Sequence, residues 1–237
     1  MRTPMTRTLI LGMLVLTIAA LDAEAQGNWQ PGDFGSLRFR LGLWEPEADS
    51  EYWDDTFAVF SGSAGDFQDL SFGLDYLWRA SAHSGIQFGT SWYSGETTQA
   101  YWDYVDLDGF DIVHGTELDT WDINALYVFR YGDASSAVIP YAGLGAGMLF
   151  WQLEEAGDFI DFSTSDQEIY HAYYQAEGWT WEALALVGVD VPLGFRWTFF
   201  GEGRYRYSDD ELGDDFAGFG TLDLSGWEFA AGFAWNF

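Results

Sequence analysis

Hydrophobic and polar residues alternate with a period of two along eight segments of the chain, which is the spacing of β-strands. In the first segment, Leu37, Phe39 and Leu41 share one face, and polar or small residues take the other. The apolar face carries no charged residue in any segment. The segments cover 37–44, 70–79, 86–93, 121–131, 140–150, 182–190, 195–207 and 226–237. The pattern predicts an all-β domain with eight strands.

The connections between these segments are alternately long and short. Three short turns are rich in Ala, Ser, Gly and Asp and lie at 80–84, 132–137 and 191–194. Four long connections lie at 45–69, 95–119, 152–180 and 209–223. Short connections on one side and long ones on the other are typical of an up-and-down antiparallel barrel in an outer membrane.

Two barrels fit eight alternating strands: a soluble lipocalin-like barrel with its apolar face inward, and a membrane barrel with that face outward. Of the 36 acidic residues that follow residue 25, 28 lie in the long connections, whereas nearly all arginines lie in the strands and short turns. The polar strand face is mainly Gly, Ser, Thr and Asn, which suits a narrow lumen better than a solvated surface.

Aromatic residues near the strand ends favour the membrane barrel, because Trp and Tyr accumulate at headgroup level. These residues are Trp78, Trp92, Trp121, Tyr131, Trp197, Tyr207, Trp227 and Trp235. We therefore predict an eight-stranded up-and-down antiparallel transmembrane β-barrel with four long acidic extracellular loops.

The N-terminal segment has the three parts of a secretory signal peptide. Arg2 and Arg7 precede an uninterrupted apolar run, 8–21, and Ala23 and Ala25 supply the small residues of a cleavage site before Gln26. The 14 apolar residues are short for a membrane anchor, which needs about 20. The predicted division is a signal peptide at 1–25 and a barrel domain at 26–237.

The composition excludes several classes of function. A formal charge of -29 disfavours nucleic-acid binding, because an acidic surface repels phosphates. The chain contains no cysteine, so it has no disulfides, no thiolate metal site and no cysteine nucleophile.

The last strand, GWEFAAGFAWNF, resembles the terminal assembly signal of small outer-membrane barrels of the OmpA, OmpX and OmpW kind. The alternating aromatic residues that carry this resemblance are Phe229, Phe233, Trp235 and Phe237. The Gly-rich PYAGLGAG stretch from Pro140 resembles a strand common among them. The resemblance implies a monomer in the outer membrane of a Gram-negative-type bacterium. Its partners would be outer-membrane lipid, lipopolysaccharide and the barrel assembly machinery.

Charged residues on the polar strand faces are the first candidates for a site. At similar depth in the barrel we expect an ion network formed by Arg38, Arg40, Asp75, Glu202, Arg204 and Glu228. The planar guanidinium group of Arg pairs well with carboxylates in a dry interior. Such a network either plugs the lumen or lines a narrow, gated ion path.

The acidic connections are the second candidates. Asp106, Asp108 and Asp111 offer oxygen ligands spaced like the middle of a calcium loop, but Tyr104 and Gly115 occupy its first and twelfth ligand positions. We therefore expect no cofactor beyond loosely bound divalent cations, and a solvated acidic surface is the simplest interpretation.

The sequence provides little basis for catalysis. His83 falls in a short turn, and His114 and His171 fall in long connections without an evident nucleophile. Loop aromatics such as Tyr101 and Trp179 either clamp a ligand or extend the strands as hairpins above the membrane. The expected function is a non-enzymatic structural or surface-interaction role. A small porin-like channel for cations or a hydrophobic solute is the alternative, and a lipid A-modifying enzyme is a weaker one.

Overall fold

Eight antiparallel strands close into a barrel in the computed structural model, which describes residues 35–81, 83–132, 136–163, 167–194 and 196–237. The ring consists of β1 (Gly35–Pro46), β2 (Asp69–Arg79), β3 (Ser84–Val105), β4 (Asp111–Arg130), β5 (Ile139–Ile160), β6 (Ile169–Pro192), β7 (Trp197–Tyr207) and β10 (Gly226–Asn236). Each strand pairs with its neighbour along the ring, and β10 closes the ring against β1. The predicted up-and-down barrel is confirmed. The predicted signal peptide at 1–25 lies outside the described residues.

The connections on one side of the barrel contain the remaining secondary structure. Between β1 and β2 lie the helix α1 (Glu51–Val59) and a 3-10 turn (Ala64–Phe67). Between β7 and β10 lie a small hairpin of β8 (Asp209–Glu211) and β9 (Thr221–Asp223) and a second 3-10 turn (Asp214–Phe216). No helix in the described ranges is long and apolar enough to cross a membrane.

The outer surface of the barrel is apolar, as the alternation predicts. Phe39, Phe72 and Leu144 are 50%, 56% and 71% exposed, although each would be buried in the core of a soluble protein. A contiguous apolar belt of this kind requires a hydrocarbon surrounding, so the barrel spans a membrane. Its closed ring also pairs the backbone of every strand, which the membrane interior demands.

The strands fall into two length classes. Four neighbouring strands in the ring, β10, β7, β1 and β2, have 11 or 12 residues, close to the roughly 9–11 that cross a bilayer. The other four, β3 to β6, have between 20 and 24 residues. An outward aromatic row of register partners, Trp92, Trp121, Phe150 and Trp179, crosses these long strands near their middle. Because Trp accumulates at headgroup level, we place the membrane boundary on the side of the long connections at this row.

Beyond the aromatic row, the long strands form a four-stranded sheet, here called the extension, which comprises 93–105, 111–120, 151–160 and 169–178. Two of the predicted long loops, 95–119 and 152–180, are therefore mostly strand: β3 ends at Val105 and β4 begins at Asp111, and β5 ends at Ile160 and β6 begins at Ile169. The prediction of four long loops was wrong for these two, whereas the alternative of extended hairpins was right. Backbone pairing continues because α1 and the connection between β7 and β10 cover the inner face of the extension.

Two arginine substitutions on the outer face of β5 test where the membrane ends. Leu144→Arg places a charge in the apolar belt, and we expect it to destabilise the barrel by about 2–4 kcal/mol. Ala156→Arg, on the same face of the extension, should be tolerated because the position is exposed to water. Unfolding in urea from lipid vesicles measures both variants. Equal destabilisation by both would contradict the assigned boundary.

Candidate functional site

The middle of the lumen is filled by paired charges. The structure brings together all six side chains expected there, and each is buried: Arg38, Arg40, Asp75, Glu202, Arg204 and Glu228. Arg40 joins three adjacent strands, because its Nη1 lies 2.7 Å from Asp75 Oδ2 and its Nε lies 3.2 Å from Glu228 Oε1. The guanidinium group therefore ties β1 to both of its neighbours in the ring.

Arg204 links β7 to the same cluster. Its Nε lies 2.7 Å from Glu202 Oε1, and its Nη2 lies 3.0 Å from Asp75 Oδ2. Asp75 thus receives two guanidinium groups on one carboxylate oxygen. The other oxygen of Glu202 accepts a 2.7 Å hydrogen bond from the Tyr141 hydroxyl. Each buried charge thus has several partners rather than one, and these interactions offset the free-energy cost of burying it.

A second group of charges joins the network on the side of Arg38. Arg38 Nη1 and Arg130 Nη2 lie 3.0 Å and 2.9 Å from the two carboxylate oxygens of Asp190. Arg38 Nη2 also donates a 2.6 Å hydrogen bond to the Tyr141 hydroxyl, and its guanidinium carbon lies 3.9 Å from the centre of the Phe200 ring. These contacts connect β1 with β4, β5, β6 and β7 across the lumen.

A third group lies near Arg206. Its Nη2 is 2.9 Å from Asp122 Oδ2, and its Nε is 3.0 Å from Glu182 Oε2. Asp122 also accepts hydrogen bonds from Asn124 and Ser91. The alternation places these residues on the polar face, but which of them meet depends on strand tilt and register, which the sequence does not specify.

A glycine makes room for the central arginine. A Cβ atom at Gly73 would overlap the Arg40 guanidinium carbon. The small residues of the polar face therefore supply the space in which the large charged side chains cross the lumen.

Apolar side chains fill the lumen beside the network. They form one cluster: Leu77, Leu126, Val128, Tyr141, Leu184 and Leu186. The expectation of a lumen lined mainly by small polar residues was therefore wrong at these positions. Leu184 and Leu186 break the alternation of β6, and the structure explains this irregularity because both are buried inside the barrel.

A second apolar cluster, here called the cap, closes the barrel above the network. It is formed by α1, both 3-10 turns and the inner face of the extension, and it includes Trp44, Tyr52, Trp53, Phe67, Leu118, Leu153, Phe216 and Leu222. Trp53 is fully buried, and its Nε1 donates a 3.0 Å hydrogen bond to the Asp223 carbonyl. The cap thus seals the end of the lumen that faces the long connections.

One buried carboxyl group anchors the cap to the extension. The hydroxyl of Tyr52 on α1 donates a 2.7 Å hydrogen bond to Glu155 Oε1 on β5. Burial raises the pKa of Glu155, although the hydrogen bond from Tyr52 opposes this shift. Burial also raises the pKa of Tyr52, and the neighbouring carboxylate adds to that shift.

His114 lies on the inner face of the extension and is 1% exposed. Its ring centre is 4.3 Å from that of Phe60 and 5.0 Å from that of Phe159. Neither ring nitrogen has a hydrogen-bond partner among the described residues. Burial lowers the pKa of His114 from 6.5 to about 4, so the ring is neutral at pH 7.

The other histidines lie apart from His114. His171 is exposed, and its Nδ1 lies 3.0 Å from Asp158 Oδ1. His83 is in a short turn, where its Nδ1 lies 3.3 Å from the Arg130 carbonyl oxygen. The structure therefore brings no two histidines together.

Carboxylates line up on the outer face of the extension. Glu96 and Glu154 are each the direct register partner of Glu117, so three acidic side chains form one row across β3, β4 and β5. Burial raises the pKa of Glu117, and the carboxylates of Asp119, Glu154 and Glu96 raise it further. Like charges opposite one another destabilise a sheet, so this row is an unfavourable feature of the isolated extension.

The candidate calcium ligands shape a turn. Asp106 Oδ1 accepts hydrogen bonds of 2.9 Å and 2.8 Å from the backbone N–H groups of Asp108 and Phe110. Asp111 begins β4. Throughout the described part of the chain, no group of three or more His, Asp and Glu side chains is arranged to hold a metal ion.

The terminal aromatics lie on the lipid side of the closing strand. Phe229, Phe233 and Trp235 are 66%, 50% and 40% exposed. The ring centre of Phe237 lies 6.1 Å from that of Tyr76. Recognition of these residues by an assembly machinery stays a prediction.

No family model matches the sequence, and no curated protein is similar to it. Neisserial surface protein A has 14% identity and a TM-score of 0.48, with 86% of this chain and 97% of that one aligned. A major outer membrane protein from Thermus thermophilus has 10% identity, 86% and 99% coverage and a TM-score of 0.47. Outer Membrane Protein W of E. coli has 16% identity, 88% and 100% coverage and a TM-score of 0.43. The roles of individual residues therefore rest on this chain alone.

Removing one charge from the network should cost more than removing a pair. We expect Arg204→Ala to destabilise the barrel by roughly 3–5 kcal/mol, because Asp75 and Glu202 lose a buried partner. The double variant Arg204→Met with Glu202→Gln should lose less stability, since both charges disappear. Arg196→Ala, at an exposed turn position, is the matched control. Equal melting temperatures of the single and double variants in detergent would contradict the network.

His114 should make the extension sensitive to acid. An unfolded histidine binds a proton near pH 6.5 and the folded one only near pH 4, so stability falls as the pH drops through this window. Glu155, whose pKa is raised, instead makes the folded protein more stable as the pH falls. This contribution is the same in every variant, so it cancels when the variants are compared. The protection factors of β4 amides, which correct for the pH dependence of the intrinsic exchange rate, should therefore fall between pH 6.5 and 4.5 in the wild type, and less in His114→Phe. His171→Gln should behave like the wild type. An identical acid response in His114→Phe would refute this assignment.

Proposed function

We propose that this protein is a sealed outer-membrane barrel that supports an extracellular surface for interactions, and that it is neither a channel nor an enzyme. The observation that carries the proposal is the filling of the lumen. Paired charges and an apolar cluster around Leu126 occupy its interior side by side, and the cap covers its end toward the long connections. A water-filled path would have to cross the cap as well as the paired charges.

The charges inside the lumen also argue against conduction. A conducting site must hold an ion weakly enough to release it. The guanidinium groups of Arg40 and Arg204 are instead engaged by carboxylates, and their side chains are 1% and 4% exposed. Opening a path here would leave several buried charges without partners, which is energetically costly.

The extension supports a role at the cell surface. The strands β3 to β6 continue about ten residues beyond the aromatic row, which corresponds to roughly 33 Å of strand. Crossing the membrane requires none of this length, as the 11 residues of β7 illustrate. The extra structure is rigid, because the cap packs against its inner face.

The surroundings expected from the sequence belong to the same proposal. The apolar belt would contact outer-membrane lipid, and the base of the extension would lie among lipopolysaccharide headgroups. Divalent cations associated loosely there would relieve the repulsion within the carboxylate row of Glu96, Glu117 and Glu154. Inside the membrane, the closed ring has no free edge for strand pairing with another copy, which supports a monomer.

Single-channel recording in planar bilayers tests the sealed barrel. We expect no conductance steps from the wild type, because the cap and the filled lumen exclude ions. Protease protection of the membrane strands in vesicles of the same lipid confirms insertion, so silence cannot reflect failed insertion. Ohmic, cation-selective steps would overturn the proposal in favour of the porin-like alternative. A changed lipid A mass spectrum on overexpression would instead favour an enzyme.

A further inference from the structure

The far end of the extension exposes a group of large apolar side chains, here called the tip surface. It consists of Tyr104, Val105, Leu107, Phe110 and Phe162, which are 37%, 57%, 105%, 69% and 54% exposed. The first four belong to the hairpin of β3 and β4, and Phe162 belongs to the loop after β5. Rings from both hairpins meet here, because the centres of Tyr104 and Phe162 lie 5.3 Å apart.

A buried tyrosine and several hydrogen bonds hold the tip surface in place. Tyr101 is 7% exposed, and its ring centre lies 6.0 Å from that of Tyr104 and 6.2 Å from that of Phe162. Its hydroxyl accepts a 3.1 Å hydrogen bond from the Ile160 backbone N–H. Asp106 closes the turn that carries Leu107 and Phe110. The apolar side chains are therefore presented by a defined backbone.

Lipid does not cover the tip surface. Val105 lies thirteen residues along β3 from Trp92 of the aromatic row, or about 40 Å of strand. Apolar side chains grouped in water at this distance from the membrane indicate contact with another molecule.

The charge around the tip surface indicates which kind of molecule can bind there. Among the described residues, the acidic ones of the two hairpin ends are Asp103, Asp106, Asp108, Asp111, Asp158, Asp161 and Glu168. The chain has no Lys, and no Arg lies between Arg79 and Arg130 or between Arg130 and Arg196. A second copy of the chain, an anionic polysaccharide and an anionic membrane would all be repelled.

We infer that the tip surface docks a cationic polypeptide segment in which Arg or Lys residues alternate with apolar ones. The apolar side chains would pack against Leu107 and Phe110. Guanidinium or ammonium groups would lie over the rings of Tyr104 and Phe162 and pair with the surrounding carboxylates. This inference rests on the proposed surface-interaction function and names the class of partner.

Binding of designed peptides to the full-length protein in zwitterionic nanodiscs tests the inference. The probe is a synthetic peptide of alternating Arg and Leu, and its companion carries Gln in place of Arg. We expect the cationic peptide to bind and the companion to bind at least about tenfold more weakly. Raising the salt concentration should weaken the binding of the cationic peptide.

Substitutions on the exposed tip locate the binding. The pair Leu107→Ser and Phe110→Ser should weaken binding at least about tenfold, because it removes the apolar contacts. Asp103→Asn with Asp108→Asn should slow association and reduce its salt dependence, while Asp106 keeps the turn closed. The matched control, Val138→Ser with Leu193→Ser, alters two exposed apolar residues at the opposite end and should leave binding unchanged.

Three outcomes would overturn the inference. These are no binding of the cationic peptide, equal binding of the neutral companion, and equal binding by the tip and control variants. The last outcome would leave the proposed surface role intact, because the peptide would then bind elsewhere on the extracellular side. Conductance would defeat the proposed function without bearing on the peptide result, so the two failures can be told apart.

Discussion

The bilayer imposes one constraint on every strand of this protein: apolar side chains point outward, so whatever is polar must be accommodated in a narrow interior. An eight-stranded ring leaves space for side chains and little else. Charged residues on the inner face therefore cannot be hydrated and must find partners across the lumen. The pairing of Arg40 with Asp75 and Glu228 is the direct result. Gly73 has no side chain and so leaves the space that the Arg40 guanidinium group occupies.

Membrane thickness acts as a second constraint, on length rather than on direction. It sets the length of the short strands. The residues by which β3 to β6 exceed that length therefore serve another purpose. The same alternation continues in β3 to β6 above the membrane, but there the outer face contacts water and the inner face contacts the apolar cap. Outside the ring, Glu96, Glu117 and Glu154 replace the apolar belt, and inside it the apolar cap replaces the charges. One backbone pattern thus serves two environments.

Period-two alternation was sufficient to predict the number of strands, their outward face and six members of the ion network. It could not predict which charges meet, because Arg38 reaches Asp190 through strand tilt and register. The cap was missed because its residues lie in connections without periodicity, and only the packing of Trp53 and Phe67 shows that these segments fold inward. The length of β3 to β6 was underestimated because acidic residues such as Glu117 suggested a loop. A strand with one face in water also accommodates such residues.

The ion network also bears on how the barrel is assembled. Arg38 and Asp190 are separated by 152 residues, and Arg40 and Glu228 by 188, and each pair joins β1 to a strand from the later part of the chain. Arg40 can pair with Asp75 on the adjacent β2 before closure, but its contact with Glu228 on β10 forms only when the ring closes. Reopening the seam between β1 and β10 would have to separate the pairs that cross it. Contacts absent from the transition state slow unfolding, so pairs formed at closure would lengthen the lifetime of the closed barrel in the membrane.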